Sequence, residues 1–172
     1  MPIDDTINRR SRERLRRSFR PACVRLLFVG ESPPVSGRFF YQRDSGLYRA
    51  MRDVFRAVDP LINDENFLTV FRSSGCYLID LCPDPVDHLD LKSRRAACVA
   101  SEAVLARAIV RLQPNRIATV VRSIEGNVTR SASRADWQGP FIHLPYPARS
   151  SRYRDAFLDK LVPVVSELRI VL

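Results

Sequence analysis

The stretch that most limits how this chain can fold runs from Arg25 to Pro34, where the apolar residues Leu26-Leu27-Phe28-Val29 end abruptly on Gly30-Glu31-Ser32-Pro33-Pro34. Consecutive apolar residues without alternation fit a strand covered on both faces, as in a parallel sheet. Val24 to Val29 is therefore read as the first core strand. Gly30 permits a tight turn with close backbone approach, and Pro33-Pro34 rigidify the loop beyond it. At the carboxyl end of a strand in an open α/β sheet, such a turn borders the crevice in which ligands bind. Gly30, Glu31, Ser32 and Pro33 are thus candidate site residues. The plainer alternative is a strand-to-loop turn with a surface glutamate.

Strands and helices alternate through the rest of the chain. Ser45 is placed to cap a helix through Val58, with Leu47, Met51, Val54, Phe55 and Val58 on one face. Tyr77 to Leu81 reads as a second strand after the Ser73-Ser74-Gly75 turn, and Cys82-Pro83-Asp84-Pro85 as a loop. Ser93 to Leu112 carries helical spacing. Ile117 to Val121 and Phe141 to Leu144 read as two further strands, and Tyr153 to Leu168 as a closing amphipathic helix that Pro163 is expected to kink or split. This alternation predicts an α/β fold, a three-layer α/β/α domain around a central, mainly parallel four-stranded sheet.

With 172 residues, of which 45% are hydrophobic, the chain has room for one full core. Residues 23–172 are assigned to that domain. Residues 1–22, with Arg9, Arg10, Arg12, Arg14, Arg16, Arg17 and Arg20 and sparse apolar anchors at Ile7, Leu15 and Phe19, read as a basic N-terminal extension. A solvated or partly helical arm is the favoured reading of it, and a phosphate-tracking arm the alternative. No apolar run reaches 18 residues, so no membrane partner is expected. The N-terminus lacks the apolar core of a secretory signal, which makes a cytoplasmic location the default. A net charge of +9, nearly all of it arginine, favours a polyanionic partner such as nucleic acid.

A second turn of interest comes after the last strand, in His143-Leu144-Pro145-Tyr146-Pro147-Ala148-Arg149-Ser150-Ser151. It combines a rigid loop with aromatic, basic and hydroxyl groups, and Ser150 or Ser151 can cap a helix whose N-terminus attracts phosphate. Taken with Gly30-Glu31-Ser32-Pro33, this turn resembles the second motif of the uracil-DNA glycosylase superfamily, whose first motif is Gly-x-x-Pro. The bacterial and archaeal iron–sulfur branch, with its Gly-Glu-Ala-Pro-Gly motif, is the most similar. Gly37-Arg38-Phe39-Phe40 resembles the segment that supplies that branch's base-stacking ring, and Ser45-Gly46-Leu47 its helix start. Cys82-Pro83-Asp84-Pro85 through Ala96-Ala97-Cys98 resembles its Cys-Arg-Pro-Pro to Ala-Ala-Cys stretch.

The resemblance implies a base-excision enzyme that removes uracil or another damaged base from DNA by hydrolysing the N-glycosidic bond. Glu31, Ser32 and His143 would carry the chemistry. Gly30, Pro33, Phe40, Tyr41 and Tyr146 would hold the base, with Phe40 as the stacking ring, and Arg149, Ser151 and Arg152 would grip DNA phosphates. The chain also departs from the pattern. The family's second-motif histidine falls at Leu144, with His143 beside it on a strand whose neighbouring residues point to opposite faces. Val120-Val121-Arg122-Ser123 stands where the family places residues that read the base edge. Only Cys82 and Cys98 match the cluster spacing, while Cys23 stands alone and Cys76 is unmatched. No iron–sulfur cluster, metal or other cofactor is expected, and the thiols read as free and buried. A non-catalytic nucleic-acid or nucleotide-binding module on the same fold is the alternative function. A nucleobase-containing ligand is the shared expectation.

Overall fold

The structure, a computed structural model, describes residues 8–168, so Ile7 and the rest of residues 1–7 of the basic extension lie outside the described residues. The four strands form one all-parallel sheet in the order β2-β1-β3-β4. β1 (Leu26–Gly30) is buried along its whole length between β2 (Cys76–Asp80) and β3 (Arg116–Thr119), as its unbroken apolar run requires. β4 (Phe141–His143) forms one edge and β2 the other.

Six helices flank the sheet: α1 (Arg9–Ser18), α2 (Gly46–Val58), α3 (Phe67–Ser73), α4 (Leu91–Leu112), α5 (Glu125–Arg134) and α6 (Ser151–Ser166). α2 packs with α6 and α4 with α5, giving the three-layer α/β/α arrangement. Their starts reflect local chemistry. The Ser45 hydroxyl accepts from the Tyr48 N–H at the head of α2, Asp90 accepts from Lys92 and Ser93 at the head of α4, and Ser150 accepts from Tyr153 at the head of α6. Gln113 ends α4 in the left-handed region at φ 46°, just before Pro114.

Four elements differ from the sequence reading. α6 runs unbroken through Pro163. One missing N–H near its final turn is outweighed by the packing of Phe157, Leu161 and Val165, all buried. The arginine-rich segment, read as a solvated or partly helical arm, is helical over Arg9–Ser18 and docked rather than solvated. Leu15 and Phe19 pack against the core, Phe19 stacks on Tyr41 at 5.5 Å, and Arg12 and Arg16 are themselves buried. α3 and α5 have no counterpart in the sequence reading. α3 is short and rich in Phe and Val, so its pattern does not distinguish helix from strand. α5 contains Gly, Asn, Thr and Ser, which are weak helix formers. Buried Glu102 of α4 anchors it by accepting from Asn127 at 2.8 Å and Arg130 at 2.7 Å.

Candidate functional site

The sheet order reverses direction at β1, whose neighbours β2 and β3 lie on opposite sides of it, and a cavity of about 270 Å³ opens at that point beyond the strand ends. This is the place where open α/β sheets bind ligands, and its size is at the small end for ligand pockets. The ladder continues past the strands here. Leu81 N–H donates to Gly30 O and Cys82 N–H to Glu31 O, both at 2.8 Å. The turn after β1 is therefore fixed by backbone pairing and not only by its prolines.

Gly30, Glu31, Ser32 and Pro33 all border the cavity. The Glu31 carboxylate is gripped by both sides of the Arg94 guanidinium, with Nε at 3.0 Å from Oε1 and a terminal nitrogen against Oε2. Such a two-pronged pair fixes orientation as well as charge. The Ser32 hydroxyl accepts from the Val86 N–H at 3.3 Å. Asp87 takes the Val35 N–H on its two oxygens at 3.0 and 3.2 Å, tying the loop after the prolines to the segment before α4.

Phe40 also borders the cavity, but it belongs equally to the core. It is 4% exposed and packs against Tyr41, Tyr48, Phe67 and Phe71. Tyr41, expected beside it as a ligand contact, has another task. Its hydroxyl donates to Leu78 O at 2.9 Å and accepts from Leu78 N–H at 2.8 Å, which covers backbone groups on the edge strand. Tyr41 does not reach the cavity. Its burial pushes the phenol pKa well up, in keeping with a structural hydroxyl.

His143 is separated from Glu31 as well. Leu144 points into the core at 1% exposure, and His143 faces an open groove on the far side of the β3 and β4 ends. Its Nδ1 lies 3.0 Å from the Thr119 hydroxyl and 3.7 Å from Glu125. Alternation along β4 turns it away from the cavity. Arg122, Arg149, Arg152 and Lys160 line the same groove, with Arg149 over the Tyr153 ring at 5.0 Å. The exposed Ser151 starts α6 beside them. Tyr146 borders both cavity and groove, so the two form one continuous surface. Partial burial raises its pKa, with Asp80 and Asp87 adding to the shift, so its hydroxyl stays protonated and able to donate.

Four residues of the cavity region were not among the expected site residues: Asp80, Asp87, Arg94 and Arg16, the last of which was read only as part of the basic extension. Asp80 ends β2 in register with Gly30 and is gripped by Arg16 of α1 at 2.6 Å, while that guanidinium also lies over the Phe39 ring at 5.4 Å. Burial pushes the Asp80 carboxyl up and Arg16 pulls it back. A β-carbon on Gly30 would stand 2.7 Å from Asp80 Oδ1, so glycine is required here by its neighbour's carboxylate. The sequence signals were slight: one acid closing an apolar run, and an Arg12/Arg16 pair at helical spacing.

The thiols do not assemble a four-ligand set. Cys82 and Cys98 are buried with sulfurs 3.7 Å apart and Ser101 beside them, and burial pushes the Cys98 thiol up to about 12. Cys76 is buried and Cys23 exposed, and all four are free. Among the described residues, no group of three or more His, Cys, Asp or Glu side chains is placed to hold a metal, and no helix is long and apolar enough to cross a membrane. No protein-family model matches the chain, and no curated protein matches it.

Proposed function

We propose that this chain is a divergent member of the uracil-DNA glycosylase superfamily that takes a flipped nucleobase into the cavity and hydrolyses its N-glycosidic bond. The observation that carries this reading is the continuity of an acid-lined, ring-sized cavity with an arginine-lined groove across Tyr146. A nucleotide removed from its stack presents those two chemistries side by side, a planar base and flanking phosphates. In this reading Phe40 offers the base an aromatic wall. Glu31, oriented by Arg94, supplies negative charge to the oxocarbenium ion that develops as the bond breaks, and Ser32 holds water at the turn. The departing base needs a hydrogen-bond donor, and Tyr146, whose hydroxyl stays protonated, supplies it. Arg149 and Arg152, with the N-terminus of α6 at Ser151, receive the phosphates.

The test is release of free base from single- and double-stranded oligonucleotides carrying uracil, hypoxanthine or xanthine. Release that falls about a hundredfold or more in Glu31→Gln is expected, the scale of losing one transition-state electrostatic contact. The outward-facing His143 favours a second reading, a nucleic-acid or nucleotide-binding module that has lost the chemistry. Salt-dependent binding without release supports that second reading. No binding to any of these oligonucleotides at low salt overturns both.

A further inference from the structure

A second recess, of about 410 Å³, lies between α1 and α4 along β2. Tyr77 lines it, is 5% exposed, and its hydroxyl makes no hydrogen bond with any described residue. Burial raises the phenol pKa, so the hydroxyl stays protonated and able to donate. A buried donor without an acceptor is a cost to the fold unless something in the recess accepts from it. Arg17, Arg20 and Arg111 also line the recess, and none of their guanidinium groups pairs with a described residue. The two acids on its border, Glu13 and Asp80, are both taken by Arg16, and Arg9 pairs with Asp84. Three cations are therefore left uncompensated. The C-terminal ends of α1 and α4 lie beside them, but together these carry only about one negative charge. The rest of the wall is apolar: Val104, Ala108 and Leu112 of α4, with Val104 49% exposed.

We propose that this recess is a second ligand site, for a small phosphate monoester with an apolar body. The phosphate accepts from the Tyr77 hydroxyl and is neutralised by Arg17, Arg20 and Arg111, whose guanidinium forks match its oxygens. The apolar body lies along Val104, Ala108 and Leu112 and takes that wall out of water. A nucleic-acid backbone would meet the exposed arginines, but it could not bring a phosphate down to the buried hydroxyl and also cover the apolar wall. A second copy of this chain presents the same cations on this face and is repelled by them. The recess shares only Asp80 with the base cavity, so the proposal holds whether or not that cavity takes a base.

Octyl phosphate, kept below its micelle concentration, is the probe, with inorganic phosphate and octanol as its two halves. Dissociation constants are measured on the full chain by titration calorimetry or ligand-detected NMR. Octyl phosphate is expected to bind about tenfold or more tightly than either half. Tyr77→Phe, which keeps the ring and removes the donor, is expected to weaken it about tenfold. Arg111→Gln, on the exposed side of α4, is expected to do the same, and it decides the matter should Tyr77→Phe fold poorly. Inorganic phosphate binding as tightly as octyl phosphate removes the apolar wall from the site, and octanol binding as tightly removes the anion. Either result overturns the proposal. So does undiminished affinity in either folded variant, or no binding of octyl phosphate at all. Displacement of bound octyl phosphate by a mixed-sequence DNA duplex also overturns it, because these arginines would then belong to a nucleic-acid interface.

Discussion

Asp80, at the end of β2, and Glu31, just past the end of β1, are neighbours across the sheet, and one arginine from a helix holds each of them. Arg16 and Asp80 are 8% and 9% exposed, whereas Arg94 is 36% exposed over a Glu31 that is 12% exposed. Solvent access makes these two pairs physically different objects. A buried pair has given up its water, so either partner alone is an uncompensated charge, and removing one costs about 3–5 kcal/mol. A pair whose cation reaches solvent is screened, and its loss costs about 1 kcal/mol or less. The first pair therefore belongs to the fold as much as to the site, and the second almost wholly to the site.

The largest effect that could break this comparison is that of Arg16→Met. It is expected to destabilise the protein by about 3–5 kcal/mol in denaturant unfolding, and adding Asp80→Asn is expected to recover part of the loss. The pH dependence carries a sign. Burial raises the Asp80 pKa, so the folded protein holds that proton to higher pH than the unfolded chain, and stability from this group falls as pH rises through that window. The penalty of Arg16→Met arises from an ionised Asp80. It should therefore grow from acid pH toward neutrality. A penalty under about 1 kcal/mol, the screened-pair range, or one that shrinks with rising pH, removes the distinction between the two pairs.

Gly30→Ala comes next. The new methyl would sit 2.7 Å from Asp80 Oδ1, and Arg16 prevents the carboxylate from swinging away. Overpacking of this kind costs about 1–3 kcal/mol. If Asp80 were loosely held, as a rim carboxylate would be, the substitution would be close to neutral, and thermal unfolding of the single variant separates the two outcomes.

The two pairs also differ in how far they could be read from the chain. The turn bearing Glu31 was legible because local rules suffice: an apolar run that ends in Gly-Glu-Ser-Pro-Pro is a buried strand with a rigid turn at its end. The cap at Ser45 was legible for the same reason, and the cap at Ser150 as one of two candidates with Ser151. Neither arginine was. Arg16 lies 64 residues from Asp80 and Arg94 lies 63 from Glu31, and only the fold brings them together. Asp80 was silent because a single acid that ends a strand matches an ordinary strand end. The Phe39-Phe40-Tyr41 triplet was recognised as aromatic, but its division of labour was not. Which ring meets the cavity, and which hydroxyl covers the β2 edge, depends on a short 3₁₀ turn at Phe40–Gln42. His143 and Leu144 show the same limit, since one step of strand alternation decides which of them faces inward.

The smallest stability effect is expected at the other pair, where the functional effect is the larger one. Arg94→Met keeps the aliphatic stem on α4 and removes the fork from Glu31, which is left with solvent at the cavity mouth to satisfy it. Unfolding should shift by about 1 kcal/mol or less. Base release, or base affinity where there is no turnover, should fall by about tenfold or more, because Glu31 loses the contact that aims it. Arg94→Lys should restore the charge without the two-pronged geometry and recover only part of that loss. A variant that unfolds as readily as Arg16→Met would mean that Glu31 and Arg94 are structural in the same sense as the buried pair. Unchanged release and affinity would mean that the mouth carboxylate takes no part in the site.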